Sequence, residues 1–158
     1  MSTHTLSLLV ENRHGALSRI ANLFSSRGYN ISSLAVAETE DPTVSRMTIV
    51  VAGDEDILEQ IVKQLNKLID VIKVIDFIDQ TIIERELLLV RVDTSKSNRH
   101  DIIDLCDIYG AKIVSVSQKS VTMQLAGESG CLDDFINLVK PFGIKEIVRS
   151  GAIAVAKN

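Results

Sequence analysis

A chain of 158 residues, 46% hydrophobic and 24% charged, has the balance of a folded protein and the length for one ordinary domain or two small ones. Its net charge of -4 is uneven: residues 1–80 hold 7 Lys and Arg against 11 Asp and Glu, while residues 81–158 hold 10 of each. Neither half has the basic surplus of a nucleic-acid footprint, and no apolar run reaches membrane-spanning length.

The N-terminal Met-Ser-Thr-His-Thr lacks the basic start and long apolar core of an export signal, which places the protein in the cytoplasm. Leu6, Leu8 and Val10 then alternate with Thr5, Ser7 and Leu9, the period of a mostly buried strand ending at Glu11. Leu17, Ile20, Ala21 and Phe24 recur at helical spacing, so a helix opens at about Gly15 or Ala16 and closes at Arg27-Gly28, with Gly28 suited to the C′ position. Asn30 stands near the start of a second strand. Between the first strand and the helix lies Asn12-Arg13-His14-Gly15. Gly15 permits a positive φ and leaves no Cβ between backbone and ligand. The first helical N–H groups favour a carboxylate, and the Asn12 amide can both donate and accept, which suits a ligand bearing an ammonium beside its carboxylate. Spacing alone favours an ordinary Asn turn and a C-cap glycine.

Further along, Met47 to Gly53 reads as a strand, Asp54-Glu55-Asp56 as an acidic helix start, Ile57, Ile61, Leu65 and Leu68 as a helix face, and Val71 to Ile78 as a strand. The pattern then repeats. Residues 5–11 match 86–92, Arg27-Gly28 matches Tyr109-Gly110, and Met47–Gly53 matches Val121–Gly127. A helix through Leu132, Phe135, Ile136 and Val139 and a final strand from Ile144 to Val155 complete the second copy. The difference in offset between the matches falls in the first hairpin, where residues 38–43 form a longer polar loop, and a linker is expected around Asp79 to Glu84. Each half reads strand, helix, strand, strand, helix, strand. The expected fold is therefore α+β, two consecutive ferredoxin-like βαββαβ units covering residues 1–79 and 80–158. Units of this size bury little surface alone, so docking between copies or with other chains is expected.

Chemistry is sparse. The strand Arg46–Ala52 carries no aromatic for stacking bases, and the first loop has no cysteine for metal carriage. Cys106 and Cys131 sit in helical apolar patterns without CxxC or a histidine at ligand spacing, and read as buried small hydrophobes rather than a disulfide or metal site. His4, His14 and His100 join no nucleophile motif, and Asp133-Asp134 and the 54–56 cluster read as solvated helix starts. Arg46 and Arg91 read as strand residues paired with carboxylates. No catalytic residue is assigned.

The ordered set Glu11-Asn12-x-x-Gly15-Ala16-Leu17-Ser18-Arg19, Phe24-x-x-Arg27-Gly28-Tyr29-Asn30-Ile31, Asp41-Pro42-Thr43, Glu59-Gln60-Ile61-x-Lys63-Gln64-Leu65 and Arg149-Ser150-Gly151 resembles a known family. The first half resembles an ACT domain, an amino-acid-sensing ferredoxin-like module, and the whole chain resembles the small regulatory subunits of acetolactate synthase. The resemblance implies a non-catalytic partner of a separate large subunit that carries thiamine diphosphate, Mg²⁺ and FAD, with no cofactor or metal in the small subunit. It also implies a homodimer formed edge to edge through ACT domains, with feedback valine at their interface. Asn12, Gly15 and Asn30 map onto the family's effector site, with Ala16, Leu17 and Ile31 as neighbours. At the matching place the second half reads Ser95 to His100, without a glycine at the helix entrance, and Ala111 follows Gly110 where the first half has Tyr29-Asn30. Sensing is thereby expected of the first half and assembly of the second. A stand-alone amino-acid-binding regulator of another enzyme is the alternative.

Overall fold

The computed structural model describes residues 2–96 and 98–158. The chain divides into two compact units, residues 1–83 with 152–158 and residues 84–151. No helix among the described residues is long and apolar enough to cross a membrane.

The first unit contains β1 (Thr3–Glu11), α1 (Ala16–Ser26), β2 (Asn30–Glu38), β3 (Val44–Ala52), α2 (Glu55–Leu65) and β4 (Val71–Asp76). Its antiparallel sheet runs in the order β2-β3-β1-β4. Alternation sets the register: Leu6, Leu8 and Val10 stand opposite Ile49, Met47 and Ser45, and their buried side chains meet Ile20 and Phe24 of α1 and Leu58, Ile61 and Leu65 of α2. Two helices thus cover one face of the sheet. At the end of α1, Tyr29 N–H donates to Phe24 carbonyl (3.0 Å) and Gly28 N–H to Ser25 carbonyl (3.2 Å), with Gly28 at φ +71°. That pair of bonds is the Schellman closure, which requires the left-handed residue that glycine supplies. Asp54 caps α2 by accepting from Ile57 N–H at 2.9 Å.

In the second unit, β5 (Ile82–Asp93), α3 (Arg99–Tyr109), β6 (Lys112–Val116), β7 (Ser120–Gly127), α4 (Ser129–Val139) and β8 (Ile144–Arg149) repeat the order, with the strands arranged β6-β7-β5-β8. Leu88, Val90 and Val92 face Ile102, Cys106, Leu132 and Phe135 in a second core. Both units have the ferredoxin-like fold. Cys106 is a buried free thiol whose pKa burial pushes up, and Cys131 is also free. Arg91 bonds Glu146 (3.0 Å) as its strand position implies, whereas Arg46 donates to the Ser7 hydroxyl (2.8 Å) rather than to a carboxylate.

Three sequence expectations are corrected. The first hairpin loop is the longer, residues 39–43 against 117–119, but the offset between the copies lies mostly in strand length: β2 has 9 residues and β6 has 5. Residues 82–84, expected in a linker, already belong to β5, because β9 (Ile153–Ala156) pairs with β5 and Lys157 N–H donates to Thr81 carbonyl at 2.8 Å. The final strand is two strands, not one. Gly151 at φ +85° leaves the extended region, and beyond it Ala152 N–H donates to Ser33 Oγ at 3.0 Å, with Ala152 and Ala154 buried.

Each unit is fastened by a bidentate Arg–carboxylate pair whose acid is buried. Arg149 donates to both oxygens of Glu86 (2.8 and 2.9 Å), and Ser129 Oγ adds a third bond. In the first unit Arg19 grips Asp70 through Nε (2.5 Å) and Nη2 (3.1 Å), and the Asp70 carbonyl accepts from Glu11 N–H (2.8 Å). Asp70 is 1% exposed, and the Arg19 hydrogen bonds hold its carboxyl below the usual carboxylate range. A depressed folded-state pKa contributes stability above the unfolded value, near 4, and loses it as pH falls through the folded value. Asp70→Asn is therefore expected to be less stable than wild type at pH 7, with the gap narrowing below about pH 4. Urea unfolding of both proteins from pH 7 to pH 2 measures that difference; a gap independent of pH removes Asp70 ionisation as its source.

Candidate functional site

The turn between β1 and α1 is built by backbone bonds. Asn12 N–H donates to Thr43 carbonyl (2.8 Å), and Ala16 N–H to Arg13 carbonyl (3.2 Å). Gly15 takes φ +84° as the N-cap of α1 and supplies no side-chain cap. Arg19 N–H is the first to reach back along the helix, to Gly15 carbonyl at 3.0 Å. Between them the N–H groups of Leu17 and Ser18 have no protein acceptor among the described residues. These two donors, at the positive end of the helix dipole, are the groups available to a carboxylate.

Asn12 is exposed, and its amide is already half used. Nδ2 donates to Glu38 Oε1 (3.0 Å) and to Pro42 carbonyl (2.9 Å), which leaves Oδ1 as a free acceptor. The side chain is thus oriented by the β2–β3 hairpin. That hairpin is itself ordered by Asp41, whose carboxylate accepts from the Thr43 hydroxyl (2.7 Å) and the Thr43 N–H (2.9 Å); these bonds lower its pKa. The room beside Gly15 is occupied as well. A Cβ there would lie 2.8 Å from Arg19 Nη1, so the missing side chain makes space for the guanidinium that grips Asp70.

Of the neighbours expected at the site, Leu17 is 46% exposed, whereas Ala16 is 4% exposed and belongs to the core side of α1. Asn30 is exposed at the first residue of β2, and Ile31 is half-buried against the first core. The structure brings Asn12, Gly15, Ala16 and Leu17 together but not Asn30 and Ile31. Glu38, at the far end of β2, pairs with Ser45 and lies against Asn12, while Asn30 pairs with Ala52. Eight strand steps separate Asn30 from Glu38, roughly 25 Å at the usual rise. Within one chain the two asparagines sit at opposite ends of the sheet.

Glu38, Pro42, Arg19 and Asp70 shape the site; Arg19 and Pro42 fall in the quoted motifs without a role assigned to them, and Glu38 and Asp70 carry no local motif. Arg19 is one turn from Gly15, but its partner Asp70 is 51 residues away and the contact exists only in the fold. β2 is also an edge strand, with no neighbour on its outer side among the described residues. Leu34 and Val36 stand opposite the buried Ile49 and Met47, on the helix-covered face, yet remain 37% and 41% exposed. They leave apolar surface along an unpaired backbone edge.

Comparison with known proteins converges on one family. Residues 6–73 match the model of an AHAS small subunit-like ACT domain, and residues 85–158 match that of the small subunit of acetolactate synthase. An acetolactate synthase small subunit of Haemophilus influenzae is 51% identical over 154 residues, covering 97% of this chain and 94% of the relative. A probable acetolactate synthase small subunit of Archaeoglobus fulgidus is 46% identical over 155 residues, covering 98% and 97%. The crystal structure of the acetolactate synthase small subunit from Thermotoga maritima superposes with a TM-score of 0.90 at 36% identity, covering 100% of this chain and 99% of that one. With matches along both units and a shared fold over the full length, the chain belongs to the acetolactate synthase small-subunit family.

Proposed function

We propose that the protein is the regulatory subunit of acetolactate synthase in branched-chain amino-acid biosynthesis, that it stimulates the large catalytic subunit, and that valine bound between two copies of its first unit inhibits the enzyme. The observation that carries this reading is the position of Asn12 and Asn30 at opposite ends of the unpaired edge strand β2. Two β2 edges that pair antiparallel about a twofold axis bring the partner's Asn30 beside Glu38, and hence beside Asn12. The same pairing covers Leu34 and Val36 and ends the exposure of the edge. Two equivalent effector sites result, each made from both chains.

In such a site the Leu17 and Ser18 amides receive the carboxylate, and Asn12 Oδ1 accepts from the ammonium, with the partner's Asn30 completing the polar shell. Leu17 and the partner's Ile31 supply apolar surface for the isopropyl group. Each methylene changes binding in such a pocket by about 1 to 3 kcal/mol, so pocket size alone discriminates modestly among valine, leucine and isoleucine. The condensation of pyruvate with a second 2-oxo acid belongs to the catalytic subunit, with its thiamine diphosphate, Mg²⁺ and FAD, in the cytoplasm. For valine to inhibit, it must bind one arrangement of the assembly better than another.

Reconstitution with the cognate catalytic subunit is expected to raise acetolactate formation, and added valine to lower it. A chain that binds valine but leaves the synthase unchanged is a stand-alone regulator of another enzyme. Asn12→Ala is expected to weaken valine binding by roughly 1 to 3 kcal/mol in calorimetry, the cost of removing one partner from a buried hydrogen bond. The shared site makes a sharper prediction. Asn12→Ala and Asn30→Ala chains, each impaired alone, are expected to regain one intact site per mixed dimer when unfolded and refolded together. Titration of the refolded mixture finding no restored high-affinity site places both residues' effects within single chains and rejects the twofold arrangement.

A further inference from the structure

A groove of about 460 Å³ opens on the first unit, beside the C-terminal half of α2 and the end of α1. Arg27 and Tyr29 line it from the α1 side, and Gln60, Lys63 and Gln64 from α2, with Asn66 and Lys67 in the turn that follows. Three of the seven cations in residues 1–80 therefore meet in one place on a half that is acidic overall. Lys63 is held by Glu59 at 2.9 Å, one helical turn away. Arg27 and Lys67 have no carboxylate within ion-pair distance among the described residues, and neither bonds a helix-terminal carbonyl. The side-chain amides of Gln60, Gln64 and Asn66 are likewise without protein partners there. A chain that spends acidic side chains freely elsewhere leaves these cations and amides unanswered along one groove.

We infer that this groove is the seat of an acidic segment of the catalytic subunit, its carboxylates meeting Arg27 and Lys67 and its backbone meeting the amides of Gln60, Gln64 and Asn66. The inference rests on the regulatory-subunit reading, which supplies the partner chain. A polypeptide fits better than a compact phosphate for two physical reasons. The groove lies at two helix C-termini, whose partial negative charge opposes a concentrated dianion, while separated single carboxylates can each meet one cation. The polar groups are also spread along roughly 10 Å of helix, and amides that both donate and accept match the alternating donors and acceptors of a peptide backbone. Exposed cations at an interface rim act mainly on association rate and salt dependence, and this surface has that character.

The test uses full-length protein and purified catalytic subunit, with affinity measured by biolayer interferometry at 50 and 300 mM salt. Wild type is expected to bind and to stimulate acetolactate formation, more weakly at the higher salt. Arg27→Glu with Lys67→Glu is expected to bind at least tenfold more weakly at 50 mM, and Arg27→Gln with Lys67→Gln to fall between, with a flatter salt dependence. Far-UV circular dichroism and thermal unfolding check that both variants fold. Folded variants that bind within twofold of wild type overturn the inference while leaving the regulatory reading in place. Displacement of the catalytic subunit by millimolar inorganic phosphate at constant ionic strength also overturns it, in favour of a small-anion site. If wild type neither binds nor stimulates, the regulatory reading fails and takes this surface with it.

Discussion

The order β2-β3-β1-β4 is the constraint on which the functional reading of the first unit depends. A split βαβ unit must leave the strand after its first helix at the sheet edge, because β3 pairs between β2 and β1. The connection that places α1 over the sheet therefore also presents a row of unpaired backbone groups along nine residues of β2. An edge of that length, flanked by half-exposed Leu34 and Val36, invites another strand. It also fixes where the candidate residues fall, with Asn12 at the Glu38 end and Asn30 at the other. A twofold axis through the middle of β2 exchanges those ends. Pairing and site formation are then the same event in the proposed dimer.

The two units show how one scaffold supports different work. Both end their first helix with a left-handed glycine, Gly28 and Gly110, and both bury a carboxylate under a bidentate arginine. The differences are concentrated where the first unit holds its candidate site. The edge strand shrinks from nine residues to five, and the Asp41-ordered hairpin that orients Asn12 gives way to a short turn closed by Ser117 N–H on Ser120 carbonyl at 2.8 Å. Among the described residues, Arg19 and Asp70 have no counterpart at the entrance of α3. The helix-ending glycine recurs in both copies, whereas the hairpin that orients Asn12 and an arginine–carboxylate pair at the first helix entrance occur once among the described residues.

Much of this was legible because it is periodic or local. Alternation at Leu6, Leu8 and Val10 and helical spacing at Ile20 and Phe24 follow from packing one face, and Gly28 follows from the closure of one helix. Ser150-Gly151 is a turn signal inside the strand-like run from Ile144 to Val155, but where the chain goes after it was not legible, since it turns there to bond Ser33, 119 residues away. Residues 82–84 were misplaced for the same reason, because the strand they join is completed from the far end of the sequence. The candidate site divides along the same line. Asn12 and Gly15 mark a turn that sequence alone can find, while Glu38, Pro42 and Asp70 act through contacts that only the tertiary fold creates.

In the proposed dimer, division of the site between chains has an energetic consequence. A ligand that touches Asn12 of one copy and Asn30 of the other binds only when the β2 edges are paired, so its full differential affinity is available to favour that pairing. Were the site within one chain and unaltered by pairing, valine would bind paired and unpaired forms alike and shift nothing, however tightly it bound. Coupling is also reciprocal. If the catalytic subunit favours one geometry of the paired units, it must change valine affinity by the same factor by which valine changes its own. In that proposal the Arg19–Asp70 pair has a second role: it fixes the entrance of α1 against the residue that receives Glu11 N–H, and so holds the proposed amide donors of Leu17 and Ser18 in place before a ligand arrives. Binding energy that a loose loop consumes in ordering itself is instead available to the equilibrium between assemblies.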